Sequence, residues 1–229
     1  MHSLQKPPHT EFGTQKPMLN NELISKYFPK AEETKLVQLQ KLYEGYVDWN
    51  AKINLVSRSD LENLYERHLL HSLALALFFE FKPMTEVMDL GTGGGFPGLP
   101  LAIWFPEVQF TLVDSIGKKI KVVDAQIESL GLKNVKAINS RAENVPGIFD
   151  FVITRAVAPA ADLVKWTQGK FAPHYSHDLK NGLLMWKGGD LTEELKVVQK
   201  LKPRIHHLKN YLPEPFFETK QIVHLPMVR

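Results

Sequence analysis

Residues 87–100 read VMDLGTGGGFPGLP, a run whose residue types suit a loop that receives a ligand. Apolar Val87 and Met88 lead to an acid, Asp89. The glycines Gly91, Gly93, Gly94, Gly95 and Gly98 follow, and then Leu99, Leu101, Ala102 and Phe105 resume at helical spacing. The pattern is a strand, a tight loop and the N-terminus of a helix. Residues without a Cβ let the backbone take positive φ and approach a bound molecule closely. Five of them in eight residues carry more unfolded-chain entropy than an ordinary turn would. The helix behind the loop aims free N–H groups and about half a positive charge at it. A nucleotide-like ligand is the expectation.

Two registers fit the same glycines. Gly93-x-Gly95-x-x-Gly98 matches the dinucleotide fingerprint, with Asp114 about twenty residues on, at the end of the next strand, to hold ribose hydroxyls. By itself that register suggests a nicotinamide cofactor. Asp89-x-Gly91-x-Gly93-x-Gly95 instead resembles the first motif of Rossmann-like S-adenosylmethionine methyltransferases, whose loop wraps the methionine part of the cofactor. In both registers the acid after the second strand, Asp114, meets the ribose.

The elements that must position this loop can be read on either side of it. Residues 1–17 are polar, hold Pro7, Pro8, Gly13 and Pro17, and read as a flexible arm. A short helix ending near Phe28 comes next. Leu36, Leu39, Tyr43, Tyr46 and Trp49 then step by three and four, which predicts a helix from about Glu32 to Asn50. NLVSRSD, residues 54–60, is a loop with Ser59 or Asp60 placed to cap a third helix that carries Leu61, Leu64, Tyr65, His68, Leu69 and Leu73. These helices define an N-terminal subdomain, 18–83, ahead of a larger domain, 84–229.

After the glycine loop, strands and helices alternate. Strands are expected at Val108–Asp114, Val135–Asn139, Phe149–Thr154, Gly182–Lys187, near His206–Tyr211 and at Gln221–Leu225. Helices are expected at about 118–130, 158–171 and 192–201. Such alternation predicts an α/β fold with a mostly parallel, doubly wound sheet of seven strands, closed by a hairpin-like final pair. Ligands bind such sheets at the carboxyl ends of the strands. The glycine loop, Asp114, residues 139–143, Arg155 and Lys187 all fall there.

Composition bounds the reading. With 229 residues, 44% hydrophobic and 23% charged, the chain suits one globular α/β domain with an appendage. The absence of cysteine excludes disulfides, a thiolate nucleophile and cysteine-ligated metal. No apolar run approaches the roughly twenty residues that span a bilayer, and the first residues lack the apolar core of a signal peptide. A cytoplasmic protein that makes no membrane contact is expected. A net charge of +3 permits a nucleic-acid partner without arguing for one.

Several patches resemble one family. They are Asn54-Leu55-Val56-Ser57, Arg67-His68 with Ser72, Asp89 to Gly98 with its GFPG ending, Asp114-Ser115 followed by Gly117-Lys118-Lys119, Arg141-Ala142-Glu143, Thr154-Arg155-Ala156 and Lys187-Gly188. The resemblance is to the bacterial 16S rRNA guanine-N7 methyltransferases known as glucose-inhibited division protein B, and it covers roughly residues 50–229. It implies a Rossmann-like class I methyltransferase fold and S-adenosylmethionine as cofactor. It also implies contacts to that cofactor at Gly91, Phe96, Ala142, Glu143 and Arg155, beside Gly93, Gly95 and Asp114 of the loop register. The implied partner is 16S rRNA or the small ribosomal subunit, with no obligate protein partner, and the chain is expected to act as a monomer. His71 departs from the family pattern, which often has Asp there. The segment 173–180 looks like an insertion.

The reacting position is informative for what it lacks. Amine methylases place Asn or Asp and two prolines after the fourth strand, and carbon methylases need a thiolate. Here that position reads Thr154-Arg155-Ala156-Val157. Guanine N7 carries its own lone pair and needs no proton removed, so orientation of the reactants suffices and no general base is expected. Arg155 and Lys187 are candidates for positioning the substrate. Candidates for RNA contact are Arg67, His68, Lys118, Lys119, Lys121 and Lys187. His174-x-x-His177-Asp178 and His206-His207 lack further ligands at workable spacing, so no metal is expected. Other readings kept open are a nicotinamide-dependent oxidoreductase, a non-catalytic RNA-binding or regulatory module retaining the loop, and a methylase of a small molecule.

Overall fold

The computed structural model describes residues 21–53 and 61–228. The N-terminal arm and the NLVSRSD loop fall outside the described residues. Two helices, α1 (Asn21–Tyr27) and α2 (Glu33–Ile53), lead into a helical run, α3, made of a π-helical turn Tyr65–Leu70, an α-helical turn His71–Leu73 and a 3-10 turn Ala74–Leu77. Strand β1 (Glu86–Leu90) follows, and then α4 (Gly98–Trp104), β2 (Gln109–Asp114), α5 (Gly117–Leu130), β3 (Val135–Asn139) and β4 (Phe151–Arg155). The chain ends with α6 (Ala160–Trp166), β5 (Gly182–Gly188), α7 (Thr192–Val197), β6 (Arg204–His207) and β7 (Lys220–Pro226).

The strands form one seven-stranded sheet in the order β3-β2-β1-β4-β5-β7-β6. Strands β1 to β5 pair in parallel, and β7 runs antiparallel to both β5 and β6. The final pair is hairpin-like, as expected, with β6 and β7 antiparallel at the edge of the sheet. The later strand, β7, inserts next to β5 and leaves β6 outermost.

Alternation along each central strand divides its side chains between two layers. Val87, Phe110, Leu112, Phe151, Ile153, Leu184, Trp186 and Ile222 face one cluster, which also holds Ile24, Leu39, Leu42, Leu69 and Leu73 from α1 to α3. Met88, Leu90, Val113, Val152, Leu183, Met185 and Val223 face the other, packed on Ala160, Leu163 and Leu195 from α6 and α7. The N-terminal helices thus share a core with one face of the sheet.

Helix α5 shows how sequence sets these boundaries. Ile120, Val123, Ile127 and Leu130 step by three and four along the side that meets the sheet. Gly131 ends the helix in the left-handed conformation at φ 64°, donating to the Glu128 carbonyl, while the Leu132 amide returns to Ile127.

Elsewhere the boundaries differ from those read in the sequence. The helix expected over 158–171 stops at Trp166, and Phe171 instead pairs with Phe149 in an isolated bridge. The one expected over 192–201 is α-helical only to Val197 and tightens to a 3-10 turn over Gln199–Leu201. The sixth strand lies at 204–207, ahead of the expected 206–211. The third helix widens into a π turn at Tyr65–Leu70. There the Ser72 hydroxyl donates to the His68 carbonyl at 2.6 Å, a side-chain bond that competes with the regular backbone ladder.

The insertion 173–180 packs beneath the N-terminal ends of β1 and β4. His177 is buried among Phe79, Phe81 and Phe151, and its Nε2 accepts the Lys82 amide at 3.0 Å. Burial holds its pKa below the usual histidine value. The insertion is therefore at the end of the sheet opposite the glycine loop.

Candidate active site

The backbone after β1 turns on the end of β2. The amides of Gly91 and Thr92 both donate to the Val113 carbonyl, at 2.8 and 2.9 Å, and those of Gly95 and Phe96 both donate to the Thr92 carbonyl at 2.9 Å. Gly91 sits at φ 70°, and a Cβ there would come within 2.4 Å of the Val157 side chain. That spot therefore demands glycine on two counts, its dihedral and its crowding.

Beneath the loop lies Asp89, fully buried. Its Oδ2 accepts the Thr92 hydroxyl at 2.6 Å and the Gly98 amide at 2.9 Å, so this acid staples the loop to the start of α4. Burial raises its pKa to about 7, against the pull of these two donors. Asp114 performs the matching task from β2. Its Oδ2 accepts the Gly93 amide at 2.9 Å and its Oδ1 the Ile116 amide at 2.8 Å.

A cleft of about 530 Å³ opens above the loop, at the carboxyl ends of β1, β2, β3 and β4. Gly91, Gly93, Phe96, Asp114, Ala142, Glu143 and Arg155 line it together, although they come from four separate stretches of chain. Gly95 does not line it and lies lower, against Tyr46 and Leu99. The turn bearing Ala142 and Glu143 is held from outside by Lys170, whose buried ammonium donates to the carbonyls of Val145 at 2.6 Å and Glu143 at 3.2 Å.

One wall of the cleft is aromatic and cationic. The Arg155 guanidinium lies 5.0 Å from the Phe96 ring centroid, approaches His68 Nδ1 at 2.9 Å and donates to the Arg67 carbonyl at 3.3 Å. A guanidinium has only donors, so Nδ1 of His68 is the acceptor and the imidazole proton sits on Nε2. The Phe96 ring also stacks on Tyr46, at 4.6 Å and 25°, and meets His68 at 4.9 Å.

The candidate RNA residues separate. His68 and Lys119 line the cleft, while Lys118 and Lys121 are exposed on α5 outside it. Arg67 is half-buried, with its guanidinium 5.8 Å from the Phe216 ring. Lys187 is not in the cleft. Its ammonium pairs with Glu194 at 2.7 Å and donates to the Ala158 carbonyl at 2.7 Å, which fixes the loop after β4. His71 is buried against Phe216 and Phe217, and burial holds its pKa well below the usual value. It is a neutral packing group. Among the described residues, no cluster of three or more His, Asp or Glu side chains is arranged to hold a metal, and no helix is long and apolar enough to cross a membrane.

Two lining residues carried no site signal in the sequence. Tyr46 reads there as part of an apolar helix face and Trp166 as an interior helix residue, whereas Ser140, which also lines the cleft, belongs to the stretch 139–143 expected there. Only the fold brings Tyr46 and Trp166 to the cleft.

The topology bears on the two registers of the glycine loop. A dinucleotide-binding sheet runs 3-2-1-4-5-6 in parallel, whereas here an antiparallel β7 stands between β5 and β6. Solved structures with a similar fold include a SAM-dependent methyltransferase from Aquifex aeolicus, with a TM-score of 0.51 at 15% identity over 74% of this chain and 98% of that one. Fibrillarin from Aeropyrum pernix, in complex with natively bound S-adenosyl-L-methionine, gives 0.50 at 15% identity over 69% and 74%. The family profile described as GidB, rRNA small subunit methyltransferase G, matches residues 35–211. Proteins called ribosomal RNA small subunit methyltransferase G are 52% identical to this chain in Christiangramia forsetii, over 90% of this chain and 97% of that protein. In Bacteroides thetaiotaomicron the identity is also 52%, over 89% and 98%. On these matches, the chain belongs to the rRNA small subunit methyltransferase G family.

Proposed function

We propose that the protein methylates N7 of a guanosine in 16S rRNA, using S-adenosylmethionine. The residues present suit that cofactor. Gly91 allows close backbone approach, Phe96 and Ala142 give apolar surface, and Asp114 and Glu143 offer carboxylates on the side of the ribose and the amine. When bound, S-adenosylmethionine supplies a methyl group carried on a sulfonium. Arg155 is suited to hold either the cofactor carboxylate or an RNA phosphate.

The observation that carries the choice of atom is the loop after β4. It presents Arg155, Ala156 and Val157 to the cleft and no side chain able to take a proton. An acceptor with its own lone pair, such as guanine N7, needs only to be oriented. His68, Arg155 and Lys119 at the cleft, with Arg67, Lys118 and Lys121 around it, supply cationic and polar groups for the RNA. Lys187 contributes indirectly by ordering the Ala158 loop. On this reading the N-terminal helices, 18–83, form an RNA-side subdomain beside the 84–229 domain, and the enzyme acts in the cytoplasm as a monomer.

The test is labelled methyl transfer from S-adenosylmethionine into 16S rRNA from a strain lacking the enzyme, followed by chemical cleavage at 7-methylguanosine. One new cleavage site, lost with Arg155→Ala, is expected. No incorporation into free rRNA or small subunits would shift the weight to an RNA-binding module or another acceptor.

A further inference from the structure

Tyr46 belongs to α2, forty-eight residues before the loop it touches. The apolar spacing of α2 accounts for a large side chain at this position, and Leu39 and Leu42 on the same helix are fully buried in the shared core. It does not account for a hydroxyl. That hydroxyl donates to the Gly94 carbonyl, inside the glycine loop, while the ring stacks on Phe96 at 4.6 Å. The side chain is 1% exposed yet forms part of the cleft wall.

The loop is shaped around it. A Cβ on Gly95 would stand 3.0 Å from the Tyr46 oxygen and 2.5 Å from Leu99. The Phe96 ring that Tyr46 supports is the same ring that lies under the Arg155 guanidinium and beside His68. A tyrosine with its hydroxyl bonded to the loop fixes both the path of the loop and the plane of that ring. Burial also pushes the Tyr46 pKa up, so the group remains a donor at every working pH.

We infer that Tyr46 is a positioning residue of the cofactor site, which holds the Gly94 carbonyl and the Phe96 ring in the form that receives the ligand. Helix α2 is on this account a wall of the site as well as a packing layer. The inference rests on the cleft being the S-adenosylmethionine site.

The experiment uses the full chain with Tyr46→Phe and Tyr46→Leu. S-adenosylhomocysteine binding is read by calorimetry, KM and kcat by methyl transfer to rRNA, and folding by thermal melting without ligand. Tyr46→Phe keeps the stack and loses one buried hydrogen bond. It should raise the Kd for S-adenosylhomocysteine and the KM for S-adenosylmethionine about fivefold, with kcat changed less than about twofold. Tyr46→Leu loses the stack as well and should raise both about thirtyfold. Faster amide exchange at Gly95 and Phe96 in ligand-free Tyr46→Phe is also expected. A folded Tyr46→Phe that binds as tightly as the wild type overturns the inference, as does a loss confined to melting temperature and kcat. If Tyr46→Leu fails to fold, Tyr46→Phe decides alone. Wild-type protein that binds no S-adenosylhomocysteine overturns the cofactor reading itself, and the two failures are thereby distinct.

Discussion

The carboxylate of Asp114 accepts the Gly93 amide at 2.9 Å, tying the end of β2 to the loop that leaves β1. Its other oxygen accepts the Ile116 amide at 2.8 Å. The acid expected to meet a ribose therefore also builds the loop on which the rest of the ligand would lie. Asp114→Ala removes both functions. It should weaken S-adenosylhomocysteine binding by about thirtyfold or more and lower ligand-free stability by about 1–3 kcal/mol. Calorimetry and chemical denaturation measure the two separately. A loss of affinity with unchanged stability would mean that the loop does not depend on this bond.

Asp89 makes a different prediction, about pH. Its folded pKa is raised by burial to about 7, above the ordinary carboxyl value. A raised folded value means that the folded state binds the proton more tightly than the unfolded chain does. The stability associated with a protonated Asp89 is full below the unfolded pKa and is lost as pH rises toward and through about 7. Asp89→Asn is a neutral isostere that keeps one acceptor for Thr92 and Gly98. The wild-type melting temperature should fall relative to that of Asp89→Asn between about pH 4 and pH 7 and level off above it. The difference between the two proteins isolates Asp89 from His224, whose pKa is pushed down to about 4 mainly by burial and which acts in the opposite direction, destabilising the fold at low pH. Parallel curves would show that Asp89 does not titrate there.

The strand, loop and helix around Asp89 were legible because glycine clustering and apolar periodicity are local signals, and the seven-strand alternation was legible for the same reason. The placement of β7 inside β6 was not, since two successive antiparallel strands read alike in either order. The ammonium of Lys187 lies at the end of β5 as its position in the chain implies, but its contact with Glu194 depends on where α7 packs. Tyr46 was visible as one residue of an apolar stripe and invisible as a loop contact. Its partner Gly94 is distant in sequence, and a core aromatic and a site aromatic have the same spacing on a helix. The π turn at Tyr65–Leu70 had no periodic signature either, since apolar spacing does not distinguish one wide turn from the regular helix around it.

Arg155 should prove sensitive to shape as well as charge. Its guanidinium lies over Phe96 and reaches His68 and the Arg67 carbonyl at once, a geometry that a planar fork satisfies and a lysine does not. Arg155→Ala should lose at least about tenfold in kcat/KM, a loss of about 1.4 kcal/mol or more in transition-state stabilisation, and Arg155→Lys should recover little of it. Steady-state methyl transfer with each variant checks this. Full activity in Arg155→Lys would reduce the role to that of a point charge.

The lysines divide into those that can meet a phosphate and one that is already engaged. Lys118 and Lys121 are exposed on the first turns of α5, beside the cleft that Lys119 lines. An ammonium that neutralises an RNA phosphate displaces a counterion, so the logarithm of affinity falls with the logarithm of salt by about 0.7 per contact for a single strand. Replacing Lys118 and Lys121 together by Gln should therefore weaken rRNA binding at low salt and reduce that slope by about 1.4. Lys187→Met should act otherwise. The ammonium of Lys187 is held by Glu194 and the Ala158 carbonyl, and its side chain is only 13% exposed. Its loss should disorder the loop after β4, lower kcat and the melting temperature, and leave the salt slope of RNA binding where it was. A slope reduced by Lys187→Met and untouched by the double variant would move the RNA path from α5 to the end of β5.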